Sequence, residues 1–219
     1  MIDMIQPFWK PIGWSSFDVV KKVRGSVKPS KVGHAGTLDP FAEGVLVLCI
    51  GKMTKQVESV MNKRKEYIAE IEFGKTTDTL DLEGQITEIS DVNIDSVEMI
   101  RNVLKQYIGE IEQIPPMYSA LKVDGKRLYK LARKGITVKR NPRKVHVYNI
   151  ELISYEDNIC TIKVECGRGT YVRVLAADIA KSLSTVGYLT KLVRTKVGDY
   201  DQKSSIKIEN IPEWLSLIQ

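Results

Sequence analysis

The residues of this sequence best suited to chemistry lie close together, in residues 33–40 (GHAGTLDP). Asp39 carries a carboxylate that suits nucleophilic or acid-base work, and His34 lies five residues before it. Pro40 disfavours the helical conformation for Asp39, and the two glycines permit a close backbone approach to a ligand, so we expect a loop that holds the carboxylate stiffly. Taken alone, an Asp-Pro pair more often only opens a turn, and a lone histidine is more often a hydrogen-bonding residue of a loop.

A second candidate is a run of positive charge in residues 122–144, which we call the basic segment. It contains ten basic residues: Lys122, Lys126, Arg127, Lys130, Arg133, Lys134, Lys139, Arg140, Arg143 and Lys144. Asp124 is its one acidic residue, so the segment has a formal charge of +9, whereas the whole chain has +6. Such a run is usually a solvated face, but it could also neutralise the phosphates of a nucleic acid.

Several further motifs occur in a fixed order along the chain. They are residues 10–16 (KPIGWSS), 33–40 (GHAGTLDP), 44–46 (GVL), 74–81 (GKTTDTLD), 115–120 (PPMYSA), 169–173 (GTYVR) and 192–195 (LVRT). Together they closely resemble the tRNA pseudouridine synthase B family, and the resemblance covers roughly residues 7–200. Any one of these motifs would be weak evidence, whereas the ordered set is specific.

The resemblance implies an isomerase that converts uridine to pseudouridine at position 55 of tRNA, in the T loop. It implies base flipping, Asp39 as the nucleophile, and no cofactor. The carboxylates and hydroxyls of residues 76–81 more often form caps and turns than a metal site, and no metal-binding motif accompanies them, so we also expect no metal. A carboxylate can add to C1′ of the ribose or to C6 of the uracil and leave again. The sequence does not choose between these two routes.

The resemblance also assigns Arg173 and Tyr67 to catalysis. Arg173 would be the cation that favours the charged form of Asp39; without the resemblance, a solvated helix arginine would be the simplest interpretation. Tyr67 would stack on the target uracil and help to move the C5 proton; otherwise it would be read as a residue that packs in a sheet.

Three more residues are implied to contact the substrate. Tyr171 and Leu192 would form walls of the uridine pocket, although core packing would also explain them. His34 would lie against the extruded nucleotide, either stacking in the space that the base leaves or holding its phosphate.

In the family, an insertion that corresponds here to about residues 117–146 grips the T stem-loop of tRNA. The resemblance therefore assigns RNA binding to Lys126, Lys130, Arg133 and Arg143. Lys126, Lys130 and Arg133 recur at helical spacing, where like charges are mildly unfavourable unless an anion binds them.

Hydrophobic periodicity predicts the elements that must position these residues. We predict helices at residues 16–27, 54–62, 95–108, 126–134, 174–183 and 212–218, with Asp95 as a cap and Gly135 at the end of the fourth helix. We predict strands at residues 45–50, 67–73, 85–89, 144–155, 159–166 and 188–197, with 85–89 paired to 67–73 and a hairpin turn at Asp124-Gly125. The fold class is α+β, a pseudouridine synthase fold with a mixed, mainly antiparallel central sheet flanked by helices and loops.

Length and composition are those of a globular protein. The 219 residues are 43% hydrophobic and 27% charged, which excludes a disordered tail or a disulfide mini-protein. Three cysteines at irregular spacing favour a reducing compartment, and the sequence shows no secretory signal or membrane-spanning window. We therefore expect one cytoplasmic catalytic domain, without the PUA RNA-binding domain of many relatives. We expect it to be a monomer that needs no protein partner or membrane and binds the T stem-loop of tRNA.

Three other functions stay open at this point. The chain could be a non-catalytic RNA-binding or RNA-folding module, or a guide-RNA-dependent relative within the same superfamily. It could also be a glycoside hydrolase that uses Asp39 together with Asp78 or Asp81. The complete motif set disfavours the first and the third.

Overall fold

A computed structural model describes residues 2–123 and 125–218 of the chain. The chain divides into two compact units. The first unit contains the residues up to Ile68 together with those from Leu192 onward, and the second unit is Ala69–Lys191. Each unit is described by itself below.

The strands are, in chain order, β1 (Met4–Lys10), β2 (Val32–His34), β3 (Glu43–Ile50), β4 (Lys65–Phe73), β5 (Lys75–Thr77), β6 (Ile86–Ile89), β7 (Gly109–Gln113), β8 (Lys122–Val123), β9 (Lys126–Arg127), β10 (Arg143–Glu156), β11 (Ile159–Cys166), β12 (Gly187–Val197), β13 (Tyr200–Asp201) and β14 (Ile206–Lys207). The α-helices are α1 (Ser16–Ser26), α2 (Val57–Asn62), α3 (Val97–Gln106), α4 (Leu128–Ala132), α5 (Val172–Ser182) and α6 (Ile211–Ile218). Short 3₁₀ helices span Gly51–Gln56 and Ile208–Asn210. Strands β4 and β12 each begin in one unit and end in the other.

The first unit is built on strand β3, which is buried along almost its whole length. Strand β1 pairs with it antiparallel, from Met4 opposite Ile50 to Lys10 opposite Gly44, and β12 pairs with it in parallel. Helices α1 and α6 cover this sheet with one apolar cluster, in which the rings of Phe8 and Trp214 meet edge to face.

Helix α1 confirms the helix predicted at residues 16–27. Ser15 caps it: the Ser15 hydroxyl accepts from the Asp18 backbone N–H, and the Asp18 carboxylate accepts from the Ser15 backbone N–H. This reciprocal capping box satisfies two backbone donors that the first helical turn leaves unpaired. The buried face of the helix consists of Val19, Val20 and Val23 together with Ser16.

The second unit is built on a long antiparallel hairpin of β10 and β11, which confirms the strands predicted at residues 144–155 and 159–166. Strand β7 pairs antiparallel with the other edge of β10, and the strand order in this unit is β12-β4-β11-β10-β7. Helices α3 and α5 also belong to it. Both units thus combine helices with mostly antiparallel strands, which confirms the predicted α+β class.

Two predicted elements of the second unit are wrong in detail. Residues 85–89 were expected to pair with 67–73, but strand β4 ends at Phe73, Gly74 has φ of +93°, and β6 pairs with β5 in a separate two-stranded sheet. The cap of α3 is Ser96 rather than Asp95, and the helix ends at Gln106. Ile108 therefore lies outside the helix that was predicted to include it.

The basic segment is less helical than the spacing of its charges predicts. Lys126 lies in β9, which pairs with β8, and α4 begins only at Leu128. The glycine expected to terminate the helix, Gly135, lies two residues beyond the C-terminal cap, Arg133, with φ of +70°. Of the predicted turn residues, Gly125 has φ of +75°, and Asp124 lies outside the described residues.

The cysteine side chains lie in the core of the protein, and the described helices are short. The cysteines Cys49, Cys160 and Cys166 are free and buried, and burial raises the pKa of the Cys160 thiol to about 12. Within the described part of the chain, no helix is both long enough and apolar enough to cross a lipid bilayer.

Candidate active site and nucleic-acid interface

The loop that carries Asp39 is fixed on both sides of this residue. The Ser16 hydroxyl accepts from the Leu38 backbone N–H at 2.8 Å and donates to the Leu38 carbonyl at 3.2 Å. After Asp39, the Pro40 carbonyl accepts from the backbone N–H of Gly13 at 2.8 Å. Asp39 itself is half-buried. Helix α1 and the segment before it therefore hold the carboxylate on a stiff loop, as the Gly and Pro pattern predicts.

Lys10 supports the same loop from inside the first unit. Its side chain is fully buried, and its ammonium group donates to the carbonyls of Pro11 at 2.8 Å, Pro40 at 3.2 Å and Ala42 at 2.6 Å. Carbonyl partners compensate part of the loss of hydration of a buried ammonium. The sequence signal was the Lys-Pro pair in residues 10–16, to which no role was assigned beyond the motif.

Arg194 is another buried cation of this unit, and it is only 1% exposed. Its guanidinium donates to the carbonyls of Val45 at 2.7 Å, Gly36 at 3.1 Å and Thr37 at 3.3 Å. Because the planar guanidinium holds its N–H donors in a fixed arrangement, it joins strand β3 to the loop that precedes Asp39. Sequence reasoning missed this role. Period-2 alternation in β12 was the usable signal, because it places Arg194 on the same buried face as Leu192.

The approach of β12 to β3 leaves no room for a side chain at Gly44. A Cβ atom there would lie 2.2 Å from the Arg194 carbonyl oxygen, and Gly44 has φ of +121°. We expect Gly44→Ala to lower the free energy of unfolding in urea by about 2–4 kcal/mol, through overpacking and backbone strain. The matched control is Gly25→Ala in α1, where the added methyl would meet nothing within 4 Å. Equal stability of the two variants would contradict this packing.

The other substrate-contact candidates of the first unit are His34, Tyr67 and Leu192. His34 ends strand β2 opposite Leu48, and burial together with the nearby Arg194 charge lowers its pKa. The imidazole is therefore neutral near pH 7. Tyr67 on β4 and Leu192 on β12 are 8% and 5% exposed, so both are largely buried side chains of the unit that also contains Asp39.

Arg173 lies in the second unit and is not a solvated helix arginine. It is 3% exposed, and its guanidinium donates to the carbonyls of Thr79 at 2.7 Å and Tyr118 at 2.8 Å. The same guanidinium forms an ion pair with the Asp81 carboxylate at 3.2 Å. The solvated interpretation is wrong because the motifs 74–81 and 115–120 both converge on this side chain.

The Asp81 carboxylate makes two sets of contacts, one within its own turn and one with Arg173. One carboxylate oxygen accepts from the Thr79 hydroxyl at 2.6 Å and the Glu83 backbone N–H at 3.1 Å, which is the turn. The other oxygen pairs with Arg173. A cation in the first turn of α5 is disfavoured by the helix dipole, so this buried carboxylate offsets both the dipole and the lost hydration of the guanidinium.

Tyr171, the N-terminal cap of α5, is held by a residue that sequence reasoning did not select. The Gln113 side chain accepts from the Tyr171 backbone N–H at 3.0 Å and donates to its carbonyl at 3.3 Å. Gln113 is 2% exposed at the end of β7. A buried amide that satisfies both backbone groups fixes where helix α5 begins, and Tyr171 itself stays half-buried.

The basic segment forms a concave surface in the second unit. A cavity of about 680 Å³ is lined by Lys122, Lys126, Arg127, Lys130 and Lys134 together with Gly125, Leu131 and Ile136. Two of the four predicted RNA-binding residues, Lys126 and Lys130, thus share one surface. Arg133 instead lies over the Tyr129 ring, at 5.7 Å from its centroid, and Arg143 is exposed on β10, opposite Gln113.

Comparison with known proteins identifies the family. Residues 24–172 match the model described as TruB family pseudouridylate synthase (N terminal domain). The tRNA pseudouridine synthase B of Phocaeicola vulgatus is 45% identical over 214 residues, which cover 95% of this chain and 91% of the relative. The enzyme of the same name from Caldanaerobacter subterraneus subsp. tengcongensis is 47% identical over 219 residues, which cover 100% of this chain and 77% of the relative.

The fold is also similar to that of a solved protein. A chain in the crystal structure of a Cbf5-Nop10-Gar1 complex is 27% identical, with a TM-score of 0.76 over 98% of this chain. The present chain spans 55% of the length of that protein. The match of the family model over most of the chain and the high identity to curated relatives lead to one conclusion: the chain belongs to the TruB family of pseudouridylate synthases.

Proposed function

We propose that this protein is a tRNA pseudouridine synthase that isomerises uridine 55 in the T loop, with Asp39 as the nucleophile. The observation that carries the proposal is the Asp39 carboxylate on a loop hydrogen-bonded on both sides, through Leu38 and Pro40. It is supported by 45–47% identity to curated relatives named tRNA pseudouridine synthase B.

The reaction requires that one bond be exchanged for another on the same nucleotide. The Asp39 carboxylate adds to C1′ of the ribose or to C6 of the uracil, and the N1–C1′ bond breaks. The uracil turns over, a C5–C1′ bond forms, the C5 proton is lost and N1 gains one. The carboxylate is then released unchanged, so the isomerisation needs no added reductant or oxidant.

Arg173 and Tyr67 complete the proposed catalytic set. Arg173 supplies the positive charge that favours the anionic form of a carboxylate in a site that excludes water. Its burial and its pairing with Asp81 suit this role, because the guanidinium is held in one orientation. Tyr67 supplies an aromatic ring against which the uracil can stack, and stacking of this kind contributes about 1–3 kcal/mol per base.

Tyr171, Leu192 and His34 are proposed to contact the flipped nucleotide. Tyr171 and Leu192 supply the apolar walls that a uracil needs once it has left the helix. Between the two predicted roles of His34, its lowered pKa favours stacking. A neutral imidazole has only one N–H donor and no charge, so it is a weaker phosphate ligand than imidazolium.

The basic segment is proposed to grip the T stem-loop through its phosphates. We expect Lys126→Glu/Lys130→Glu to weaken tRNA binding by about 10–100-fold and to reduce the magnitude of the slope of log affinity against log salt concentration by about 2. Filter binding at several salt concentrations measures both quantities. Arg101→Glu/Lys105→Glu, with the same charge change on exposed residues of α3, is the control, and equal losses in both variants would contradict a specific grip.

Purified protein and unmodified tRNA labelled with tritium at C5 of uridine test the proposed activity. Because C5 loses its hydrogen on forming the new bond, we expect release of one tritium per tRNA without any guide RNA. Binding without release would indicate the non-catalytic module. Release only with an added guide RNA would indicate the guide-dependent relative, and free uracil among the products would indicate a glycoside hydrolase.

A further inference from the structure

A second cavity lies in the first unit, along the exposed side of helix α1. It has a volume of about 680 Å³ and is lined by Gly13, Trp14, Asp18, Lys21, Lys22, Gly25 and Ser26. We refer to it as the α1 groove. None of the residues selected above for catalysis or substrate contact lines it.

The charged side chains of the α1 groove leave a net positive charge. The Asp18 carboxylate is committed to the N-terminus of the helix, where it accepts from the Ser15 backbone N–H at 2.8 Å and from the Ser15 hydroxyl at 2.6 Å. These hydrogen bonds lower the pKa of Asp18. Among residues 2–123 and 125–218, neither Lys21 nor Lys22 has a carboxylate within salt-bridge distance. Two ammonium groups thus line the groove, and the Asp18 carboxylate, whose pKa the Lys21 charge also lowers, offsets only part of their charge.

Trp14 adds an aromatic wall with a donor. It is half-buried and packs against the apolar core of the unit. In the part of the chain that the structure describes, its indole N–H has no hydrogen-bond acceptor. A ring held by the core, with a free N–H beside two ammonium groups, suits a ligand that has both anionic oxygens and flat rings.

The α1 groove adjoins the loop of the candidate nucleophile. Gly13 lines the groove, and its backbone N–H donates to the Pro40 carbonyl at 2.8 Å. Helix α1 is joined to the same loop by the hydrogen bonds between Ser16 and Leu38. A nucleic acid with one nucleotide at Asp39 must therefore continue its backbone over nearby surface of this unit, and the groove supplies cationic side chains on that surface.

We infer that the α1 groove holds the backbone phosphates of nucleotides next to the target uridine, with Lys21 and Lys22 as the phosphate ligands and Trp14 as a stacking wall. The inference deepens the proposed function and rests on it. It assigns to the first unit an RNA contact separate from the basic segment of the second unit.

The test uses Lys21→Ala/Lys22→Ala and the matched control Lys28→Ala/Lys31→Ala, which removes two exposed lysines of the same unit that do not line the groove. With a tRNA T stem-loop as substrate, we expect the KM of the groove variant to be about 10-fold higher than that of the wild type, and its kcat at saturating RNA to stay within about 2-fold. The slope of its log affinity against log salt concentration should be smaller by about 2. The control should match the wild type.

Neutral methylphosphonate linkages, placed singly on either side of the target uridine, identify the phosphates involved. At one or two positions the neutral linkage should weaken binding to the wild type and to the control but not to the groove variant. If every linkage affects all three proteins equally, or if the groove variant binds like the control, the inference is wrong. Binding is measured apart from product formation, so wild-type protein that binds RNA and makes no pseudouridine would contradict the proposed function instead.

Discussion

Replacing Asp39 by asparagine is expected to reduce pseudouridine formation by at least about 10⁴-fold while leaving tRNA affinity within about 3-fold. The substitution keeps the size and hydrogen-bonding capacity of the side chain but removes the anionic nucleophile, and loss of an essential nucleophile has an effect of this size in other enzymes. Tritium release under single-turnover conditions measures the rate, and filter binding measures the affinity.

The control for this variant is Asp199→Asn, the same change at an exposed carboxylate of the first unit whose side chain is 91% exposed. It should retain the wild-type rate. Because the Ser16 hydroxyl and the Gly13 backbone N–H hold the loop on both sides of Asp39, we expect similar urea midpoints for all three proteins. A substantial rate for Asp39→Asn would rule out the nucleophile assignment.

The second large effect is expected at Asp81. Asp81→Asn removes the charged partner of the buried Arg173 guanidinium, and breaking a buried pair in this way costs about 3–5 kcal/mol of stability. Because Arg173 then loses one of the partners that orient it and keeps the Thr79 and Tyr118 carbonyls, we expect its position to loosen and kcat to fall by about 10²-fold even where the protein is fully folded. Urea unfolding and single-turnover kinetics at low temperature separate the two effects.

The matched control is Asp78→Asn, three residues away on the same turn. Asp78 is exposed, and its carboxylate accepts from the Gln85 backbone N–H and the Tyr118 hydroxyl. It should change stability by about 1 kcal/mol or less. Lowered stability of Asp81→Asn with a normal kcat would mean that the ion pair is only structural.

Sequence patterns predicted the elements that depend on residues close together in the chain. Helix α1 and the period-2 burial of β4 depend on neighbours in sequence, and both elements were predicted. The pairing of β6 with β5 was not, because the period of a strand states which face is buried and not which partner it has. The length of α3 was misjudged because Ile108 continues the apolar spacing beyond the end of the helix.

In the candidate site, too, local features could be predicted from the sequence and long-range contacts could not. The Asp39 loop could be predicted because Gly and Pro constrain the backbone wherever they occur. The partners of Arg173, Arg194 and Tyr171 could not be predicted from spacing, since they are separated by between 55 and 158 residues along the chain. Such contacts are set by tertiary packing, and the sequence signal was only that these residues lie within separate motifs.

Mapping of the product by mass spectrometry, after carbodiimide derivatisation that gives pseudouridine a mass different from that of uridine, tests the central claim most directly. Unmodified tRNA is incubated with wild-type protein or with Asp39→Asn, and each uridine of the T loop is then assigned as uridine or pseudouridine. We predict complete conversion at position 55 by the wild type and none by the variant, with similar tRNA binding by both. A wild-type protein that binds tRNA but leaves that uridine unchanged, or equal conversion by the two proteins, would contradict the account.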